Sequence, residues 1–484
     1  MAFVGMSAAQ SGPLGIIPVP SDTTGLLSDT TGIAIDTSGI SADTLHISSD
    51  TIHVSLKEAL DMALSRSLEM RESQLARDRA LADQYEADMA RWVPIFEIDG
   101  YTSILKDARG TEDQTIETSW RHIGPFLQLK GQIGQPITTF GRITSLRQAA
   151  RYGVRAQEAS IDVRRAEVAM NVYRYYYGIL VARELLAILR DGSDKINTAR
   201  ARAREMLEEG SEKVTTTDLA KIDVYSFELE RKRIEAEKTI RLAIGALRRE
   251  LGVPYDTPMD VESAHLEPLR EQLGPLDSLR QLAFAQRPEI RQVNAGVEAR
   301  RLQLEAARAE RWPTLFLGAD FNFRYAPGRH FGKENPFISD AYNGRSVRAA
   351  LGMKYQLGLS DREARIRRTR VDYLDMLRQQ EWARASIALE VQKAYEEAVE
   401  AQENAALGRR SLRAGSAWLV QTVEQYDLGV ASVRDLLEAY AAYGKSQSDY
   451  YQTLYDQYLA VAELWRTVGR PIWQIEELAK PPRE

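Results

Sequence analysis

The sequence predicts a mainly α-helical chain that contains four amphipathic β-strands and is built from two similar halves. Three observations predict this fold class. Short motifs recur in the same order about 220 positions apart, two alternating segments follow the first helices of each half, and a long proline-free stretch follows those segments. A two-residue alternation is typical of strands, and the absence of proline favours helices. Each half is therefore predicted to contain helices, a β-hairpin and a long α-hairpin.

The repeat can be followed in individual residues. The first copy has Glu69, Arg71, Ala87, Arg91, Trp92 and Arg142, and the second has Glu289, Arg291, Ala307, Arg311, Trp312 and Arg362. Solenoid repeats are usually about 20–50 residues long, much shorter than this spacing. The spacing therefore indicates that one structural half was duplicated and fused.

The composition excludes several classes of protein. The chain has 484 residues, of which 63 are basic and 69 acidic, and its formal net charge is −6. This balance does not resemble the basic surface of a nucleic-acid-binding protein, so no nucleic acid is expected as a partner. The absence of cysteine excludes disulfides, thiol catalysis and zinc–thiolate sites. No segment approaches the roughly 18 consecutive apolar residues of a transmembrane helix.

Enzyme chemistry has no support in the sequence. The five histidines are scattered without the paired spacing of a metal site. Phosphate-binding loops, dinucleotide fingerprints and nucleophile elbows are also absent. We therefore expect no catalytic residue, no metal and no cofactor.

The first 54 residues form a polar leader. An Asp-Thr pair recurs every seven residues between Asp22 and Thr51, and the intervening Ser, Thr and Gly oppose helix formation. This pattern indicates a low-complexity, extended segment without an assigned function. The start of the leader, with Ser7-Ala8-Ala9, fits either the end of a signal peptide or an ordinary chain terminus.

Helical spacing begins directly after the leader. Leu56, Ala59, Leu60 and Ala63 are three or four positions apart, which is typical of one helix face, and the second copy starts at Leu279. Pro94 and Pro313 follow the two Arg-Trp motifs. Because proline cannot continue a helix, both helical segments are predicted to end there.

Two alternating segments follow in each half. Phe96 and Ile98 alternate with acidic residues, and Leu127, Leu129 and Ile133 alternate with polar ones. The second half repeats this pattern between residues 315 and 324 and between 347 and 356, although Phe126 and Phe316 break it. Period two predicts strands, and the polar stretches 106–119 and 326–345 are predicted hairpin loops.

The long helical regions each break once, at Gly210 and at Gly429, so each is predicted to be a helical hairpin with a tip. The last helix carries a heptad-spaced seam with two polar members. Its residues are Leu436, Tyr440, Tyr443, Gln447, Tyr450, Leu454, Gln457, Val461 and Leu464. This spacing is typical of a coiled coil.

These patterns divide the chain into nine segments. They are a leader at 1–54, helices at 55–91, a β-hairpin at 92–140, a long α-hairpin at 141–255 with its tip near 210–218, a linker at 256–278, helices at 279–311, a β-hairpin at 312–358, a long α-hairpin at 359–470 with its tip near 429–435, and a tail at 471–484.

The amphipathic strands leave two interpretations open. Their apolar faces could pack on helices, which would make the protein a soluble coiled-coil scaffold with a small packed β-sheet. Alternatively, those faces could contact lipid, because about ten residues suffice for a tilted strand to cross a bilayer. Charges of both signs on the polar faces suit a water-filled lumen. Since an open sheet edge is prohibitive in lipid, four strands would then have to close a barrel with other copies of the chain.

The ordered duplication over about residues 55–470 resembles the TolC family of outer-membrane efflux and secretion channels. Two local motifs also carry the resemblance. They are Leu56-Lys57-Glu58-Ala59-Leu60, with its counterpart Pro288-Glu289-Ile290, and the tip run from Tyr426 to Leu437. The resemblance implies a homotrimer with a twelve-stranded transmembrane β-barrel in outer-membrane lipid, continued by an α-helical coiled-coil tunnel in the periplasm. It also implies passive export in a tripartite efflux pump or type I secretion system, with a periplasmic adaptor protein and an inner-membrane transporter as partners.

The same resemblance suggests roles for particular residues. Asp435 and Glu438 match acidic positions of a periplasmic gate, and Tyr426 and Asp218 match a tyrosine–aspartate link that holds the closed state. The family's usual arginine two residues after the tip glycine is Ala431 here. The helix tips expected to contact an adaptor carry Gly210, Gly429, Val430 and Ser432. The residues expected to line the barrel lumen are Glu97, Asp99, Lys130, Asp320, Arg324, Arg348 and Lys354.

Overall fold

The fold was analysed in a computed structural model of the chain. The structure describes residues 51–109, 117–209, 214–262, 265–269, 273–327, 329, 342–355, 357–428 and 430–474. The predicted leader up to residue 50 and most of the predicted tail lie outside this part of the chain.

The described elements follow the predicted order twice. The first half contains β1 (Ile52–Val54), α1 (Leu56–Arg66), α2 (Leu68–Met89), β2 (Ile95–Arg109), β3 (Glu117–Thr138), α3 (Arg142–Glu208) and α4 (Thr216–Glu250). The second half contains β4 (Met259–Val261), α5 (Leu276–Gln286), α6 (Pro288–Ala309), β5 (Thr314–Tyr325), β6 (Gly344–Lys354), α7 (Leu359–Asp427), α8 (Val433–Val468) and a short 3₁₀ helix (Ile472–Gln474).

Corresponding helices of the two halves match closely in length. α1 and α5 have 11 residues each, and α2 and α6 have 22 each. The outgoing long helices α3 and α7 have 67 and 69 residues, and the returning helices α4 and α8 have 35 and 36. At 1.5 Å per residue, α3 and α7 each extend roughly 100 Å. The predicted duplication of helices, β-hairpin and long α-hairpin is therefore confirmed.

A single large core joins the two halves around the short helices. It packs residues of α1, α5, α3, α7 and α8 together, and Tyr173, Leu454 and Leu464 within it are fully buried. The hydroxyl of Tyr173 donates to the carbonyl of Ile472 at 3.0 Å, which fixes the C-terminal 3₁₀ helix to α3. The returning helices thus end where the short helices end.

The segment between the halves also contributes to this core. β1 and β4 pair as a two-stranded parallel sheet, and Val54, Met259 and Val261 are buried there. Further along, the side-chain amide of Gln457 accepts a hydrogen bond from the backbone N–H of Leu269 at 3.1 Å and donates to its carbonyl at 3.0 Å. The predicted linker is therefore anchored to α8 by a buried polar side chain.

The predicted seam on α8 is confirmed over its second part only. Leu454, Gln457, Val461 and Leu464 are all buried. Near the tip, Leu437 is buried against α4 residues while Leu436 is only half-buried. An α-helix turns every 3.6 residues, so a strict seven-residue repeat drifts from one face to its neighbour along a straight helix.

Four strands form one open antiparallel sheet in the order β2-β3-β5-β6. β2 and β3 extend further than predicted, because Asp107, Ala108 and Arg109 continue the pairing into the stretch expected to be a loop. The register shifts after Lys106, so this extension follows an irregularity. Backbone pairing needs no apolar alternation, and the polar composition of 106–119 therefore concealed it.

Candidate functional site

The strand register places every predicted lumen residue on one face of the sheet. Side chains that pair directly across an antiparallel ladder point to the same side. Glu97 pairs with Gln132, Gln132 with Asp320, and Asp320 with Arg348. The alternation along each strand adds the remaining members. The polar face thus contains Glu97, Asp99, Lys130, Asp320, Arg324, Arg348 and Lys354.

Several of these polar side chains are held by their neighbours across the sheet. The guanidinium of Arg348 donates to the carboxylate of Asp320 at 3.0 Å. The ammonium of Lys130 lies 5.6 Å from the centroid of the Tyr101 ring. Such contacts between exposed groups fix orientation and contribute little to stability. The polar face is therefore an ordered, charged surface and not a packed interior.

The polar face continues without interruption onto the ends of the long helices. A cavity of about 1810 Å³ is lined on one side by strand residues, including Glu97 and Lys354, and on the other by Arg142 of α3, Arg362 of α7 and Trp312, which lies between α6 and β5. Strand and helix surfaces therefore share one concave wall. A solute that moves along the sheet would meet the helices next.

The opposite face of the sheet is apolar and exposed. Ile98, Val347 and Leu351 expose 72%, 75% and 69% of their surface. Within the described part of the chain, no helix packs over this face, so the sheet is not buried as the soluble-scaffold interpretation requires. A contiguous apolar surface of this kind marks contact with lipid or with another protein. Its main members are Phe96, Ile98, Ile104, Leu127, Leu129, Leu317, Phe321, Val347, Leu351 and Met353.

The two helical hairpins share one small core near their tips. Ile196, Val214, Ile222 and Leu437 are buried there, and Tyr426 is half-buried against them. The break in each long region is confirmed, because α3 ends at Glu208 and α7 at Asp427. The glycines predicted at the breaks, Gly210 and Gly429, lie outside the described residues.

Asp435 occupies a capping position at the start of α8. Its carboxylate accepts hydrogen bonds from the hydroxyl of Ser432 at 2.6 Å and from the Ser432 N–H at 2.9 Å, while the Ser432 hydroxyl accepts from the Asp435 N–H at 3.3 Å. This reciprocal pattern is a capping box. The bonds from the Ser432 hydroxyl and then from its N–H hold the pKa of Asp435 below its usual value. In the single chain, this carboxylate is therefore stabilised in its charged form.

Asp218 occupies the equivalent position at the start of α4. It forms the same capping box with Thr215, whose hydroxyl donates at 2.7 Å, and it also accepts from the ammonium of Lys221 at 3.0 Å. The bond from Thr215 and then that from Lys221 lower the pKa of Asp218. Among the described residues, no hydrogen bond joins Tyr426 to Asp218. The predicted tyrosine–aspartate link is therefore not formed within one chain.

The remaining tip residues are accessible. Glu438 is exposed one turn after Asp435, and Val430 exposes 77% of its surface. The N–H groups of Val430 and Ala431 both donate to the carbonyl of Gln425, at 2.8 and 3.1 Å. Backbone hydrogen bonds therefore cap the C-terminus of α7. Sequence reasoning assigned Ser432 to partner contact and missed its capping role. The signal was present, because Ser432 and Asp435, like Thr215 and Asp218, have capping-box spacing.

The described residues contain no group of three or more His, Asp, Glu or Cys side chains arranged to hold a metal ion. In this part of the chain no helix has the length and apolar character needed to cross a bilayer.

Several solved outer-membrane proteins have the same architecture. The Campylobacter jejuni channel CmeC matches with a TM-score of 0.71 and 15% identity, over 86% of this chain and 85% of its own. The channel OprN matches at 0.70 with 17% identity, over 86% and 89%. The Vibrio cholerae outer-membrane protein VceC matches at 0.68 with 16% identity, over 86% and 96%. At such low identity, these matches show that the fold is shared. Curated proteins offer no sequence match to the chain.

A family-level sequence comparison gives the decisive result. The profile described as outer membrane efflux protein matches residues 59–252 and 279–470, which are the two halves of the duplication. The matched segments cover well over half of the chain. This result supports the channel interpretation and not the soluble scaffold. The chain therefore belongs to the outer membrane efflux protein family, whose members are channels of the outer membrane that extend into the periplasm.

Proposed function

We propose that three copies of this chain close a twelve-stranded barrel in the outer membrane and that the long helices continue it as a periplasmic tunnel. One observation carries the proposal: a sheet with one charged face and one exposed apolar face, whose charged face continues onto the helices. The open edges at β2 and β6 support it, because backbone groups at a free edge cannot remain unpaired in lipid. Pairing β6 of one copy with β2 of the next would satisfy both edges.

In this assembly the channel is a passive conduit. The apolar face contacts lipid, the charged face lines the lumen, and transport energy comes from an inner-membrane transporter joined through a periplasmic adaptor. The exposed tip residues Val430 and Ser432, with Gly210 and Gly429, are the proposed adaptor contacts. Lumen charges of both signs give no preference for cations or anions, so the partner transporter would select the substrate.

The tip acids are proposed to form the periplasmic gate. Three-fold symmetry would place three copies of Asp435, and one turn later three of Glu438, around one axis. Like charges at close range normally raise a carboxyl pKa. The Ser432 cap opposes this effect at Asp435, because it favours the charged form. Repulsion among the ionised acids would favour opening unless a cation or an intersubunit contact, such as Tyr426 to Asp218, holds the gate closed.

Arginine substitutions on the two faces of the sheet test the barrel. Leu129→Arg and Leu351→Arg lie on the apolar face, and about 2–4 kcal/mol is the usual cost of arginine facing lipid at mid-bilayer. We expect both variants to lose most of the heat-modifiable trimer from the outer-membrane fraction. Gln132→Arg and Ser346→Arg are the matched controls on the polar faces of the same strands, and both should assemble normally.

Arginine should reduce the amount of trimer only when it is placed on the apolar face, and not when it is placed on the polar face. Normal insertion and assembly of both apolar-face variants would show that this face does not contact lipid. Equal loss in all four variants would show that neither face borders water.

A further inference from the structure

One apolar side chain of the described sheet is buried on the polar face, and not on the apolar face described above. Phe126 lies on the polar face, two positions before Gln128 and four before Lys130, yet it exposes only 7% of its surface. Strand residues on the apolar face are exposed by comparison, with Leu127 at 47%. Something within the chain must therefore cover Phe126 on the side that would face the lumen.

The cover comes from Arg329 and Tyr342, two described residues between β5 and β6. The ring of Tyr342 meets Phe126 edge-on, with centroids 5.7 Å apart and an interplanar angle of 85°. The guanidinium of Arg329 lies 4.6 Å from the centroid of the Tyr342 ring, and it donates to the backbone carbonyl of Lys106 at 3.3 Å. Since Lys106 belongs to β2 and Phe126 to β3, these residues reach across the polar face to the far strand of the sheet.

A polar side chain fixes this crossing in place. The side-chain amide of Asn343 accepts from the N–H of Ala326 at 2.8 Å and donates to the carbonyls of Ala326 and Arg329, at 3.1 and 3.2 Å. Ala326 exposes only 2% of its surface. Edge-to-face aromatic pairs and cations over aromatic rings are both favourable geometries. Phe126, Arg329, Tyr342 and Asn343, termed here the inner cap, therefore form a packed cluster.

Chain connectivity locates the inner cap at the end of the sheet away from the helices. β2 and β5 start next to α2 and α6, and β3 and β6 lead into α3 and α7. The inner cap lies where β2 and β5 end and where β6 begins. It is thus at the opposite end of the conduit from the tip acids.

We propose that the inner cap narrows the outer mouth of the lumen and sets the largest solute that can leave. This inference rests on the proposed function, because the polar face becomes a lumen only when copies of the chain close a barrel. Three caps would then project inward from one circumference. Aromatic packing would maintain this constriction, whereas repulsion between carboxylates would act at the tips. The width of the constriction should therefore depend on contact between the rings and not on pH or salt.

The lack of native cysteine allows a direct test, because a single introduced thiol is unique in the chain. Gln132→Cys places that thiol on the polar face, deeper in the conduit than the inner cap. Intact cells are treated from outside with a small maleimide or with a maleimide that carries a long polyethylene glycol chain. We expect the small reagent to label rapidly and the large reagent to label slowly.

Removal of the ring at position 342 should abolish this size discrimination. In the Gln132→Cys background, Tyr342→Ala should raise the labelling rate with the large reagent severalfold and leave the rate with the small reagent unchanged. Tyr342→Phe keeps the ring and should behave as the parent. Phe316→Ala removes an aromatic from the polar face near the helix end and should also change nothing.

The outcomes separate this inference from the proposed function. Equal labelling by the large reagent with and without Tyr342→Ala, in trimers that fractionate normally, would overturn the inner cap as a constriction. Failure of the small reagent to reach Gln132→Cys, with Leu351→Cys labelled instead, would overturn the lumen assignment itself. Phe126→Ala provides an independent second opening of the cap and should reproduce the effect of Tyr342→Ala.

Discussion

The two halves of the molecule form equivalent joints between a short and a longer helix, but they use different side chains to do so. In each half a short helix joins a longer one at a single buried residue, Ser67 between α1 and α2 and Arg287 between α5 and α6. The backbone is nearly the same, with φ −56° and ψ 138° at Ser67 and φ −58° and ψ 128° at Arg287. Ser67 caps α2 by accepting from the N–H of Glu69, whereas Arg287 donates to the carboxylates of Glu289 and Glu390.

The returning helices meet these joints in matching ways. Gly252 follows α4 and Gly469 follows α8, and each glycine packs against the end of the short helix of its own half. The buried charges at the two joints, however, have opposite signs, with a carboxylate at the first joint and Arg287 at the second. The first joint has a buried carboxylate, Glu250, at the position where the second has Thr467. Duplication therefore preserved the backbone of the joint, while its ionic contacts diverged, since charge can be compensated locally in more than one way.

The largest predicted effect tests what the joints share. Both glycines have left-handed backbone angles, φ +64° at Gly252 and φ +87° at Gly469, and a Cβ would lie 2.7 Å from the Arg66 carbonyl oxygen or 2.9 Å from the Arg287 nitrogen. Gly252→Ala and Gly469→Ala should each cost about 2–4 kcal/mol, because backbone strain and a clash with backbone add together.

Urea unfolding of the purified protein in detergent measures this cost. Gly245→Ala on α4 is the control, since its Cβ would meet no atom within 4 Å, and alanine favours helix by about 1 kcal/mol. A large loss at one joint and none at the other would show that the joints are not structurally equivalent.

The second prediction tests what distinguishes the joints. The Arg287 side chain exposes 4% of its surface, and its partners Glu289 and Glu390 expose 29% and 51%. Removing one partner of a buried pair usually costs about 3–5 kcal/mol, and the partial exposure of both carboxylates reduces our expectation for Arg287→Met to about 2–3 kcal/mol.

Ser67→Ala is the matched change in the first half. It removes only a helix cap and should cost about 1 kcal/mol in the same urea experiment. Similar costs for the two variants would contradict the view that the second joint depends on its ion pairs. Adding Glu289→Gln to Arg287→Met should recover part of the lost stability, because one unpaired carboxylate is then removed.

How far the sequence predicts the molecule depends on the range of the interactions involved. Strand alternation and helical spacing involve residues two to four positions apart, so the elements and the shared face of Asp320 and Arg348 could be predicted. β1 and β4 have three residues each, too few to show a period, and their pairing was missed. Arg287 precedes a helix-starting proline, and nothing in the local sequence distinguishes it from an exposed arginine. Its burial depends on Glu390, which is 103 positions away.

The tip and gate residues show a different limit. Capping at Asp218 and Asp435 is local and was visible in the sequence, although it was not inferred. The gating role proposed for them depends on contacts between copies of the chain, and neither the spacing of one sequence nor the fold of one chain contains these contacts.

The smallest expected effect tests whether the carboxylate at the first joint destabilises it. Glu250 exposes 5% of its surface, and its Oε1 has no hydrogen-bond partner among the described residues. The side chain of Asn171 donates a hydrogen bond to this carboxylate, and Glu69 and Arg249 are the nearby charges. Burial, with a smaller contribution from Glu69, raises its pKa above the usual 4.5. The folded state therefore binds this proton more tightly than the unfolded state does, and the contribution of Glu250 to stability declines as pH rises from 4.5 through the raised value.

Glu250→Gln removes this decline, because the amide cannot ionise. We expect the variant to gain about 1 kcal/mol relative to the parent above the raised pKa, near the lower limit for a buried polar atom without a hydrogen bond, because only Oε1 lacks a partner, and nothing below pH 4.5. Melting temperatures of both proteins across this pH range give the difference directly. The same change at Glu289 should destabilise at neutral pH, because that carboxylate is paired with Arg287. A loss of stability in Glu250→Gln at neutral pH would show that the first joint, like the second, depends on a charged partner.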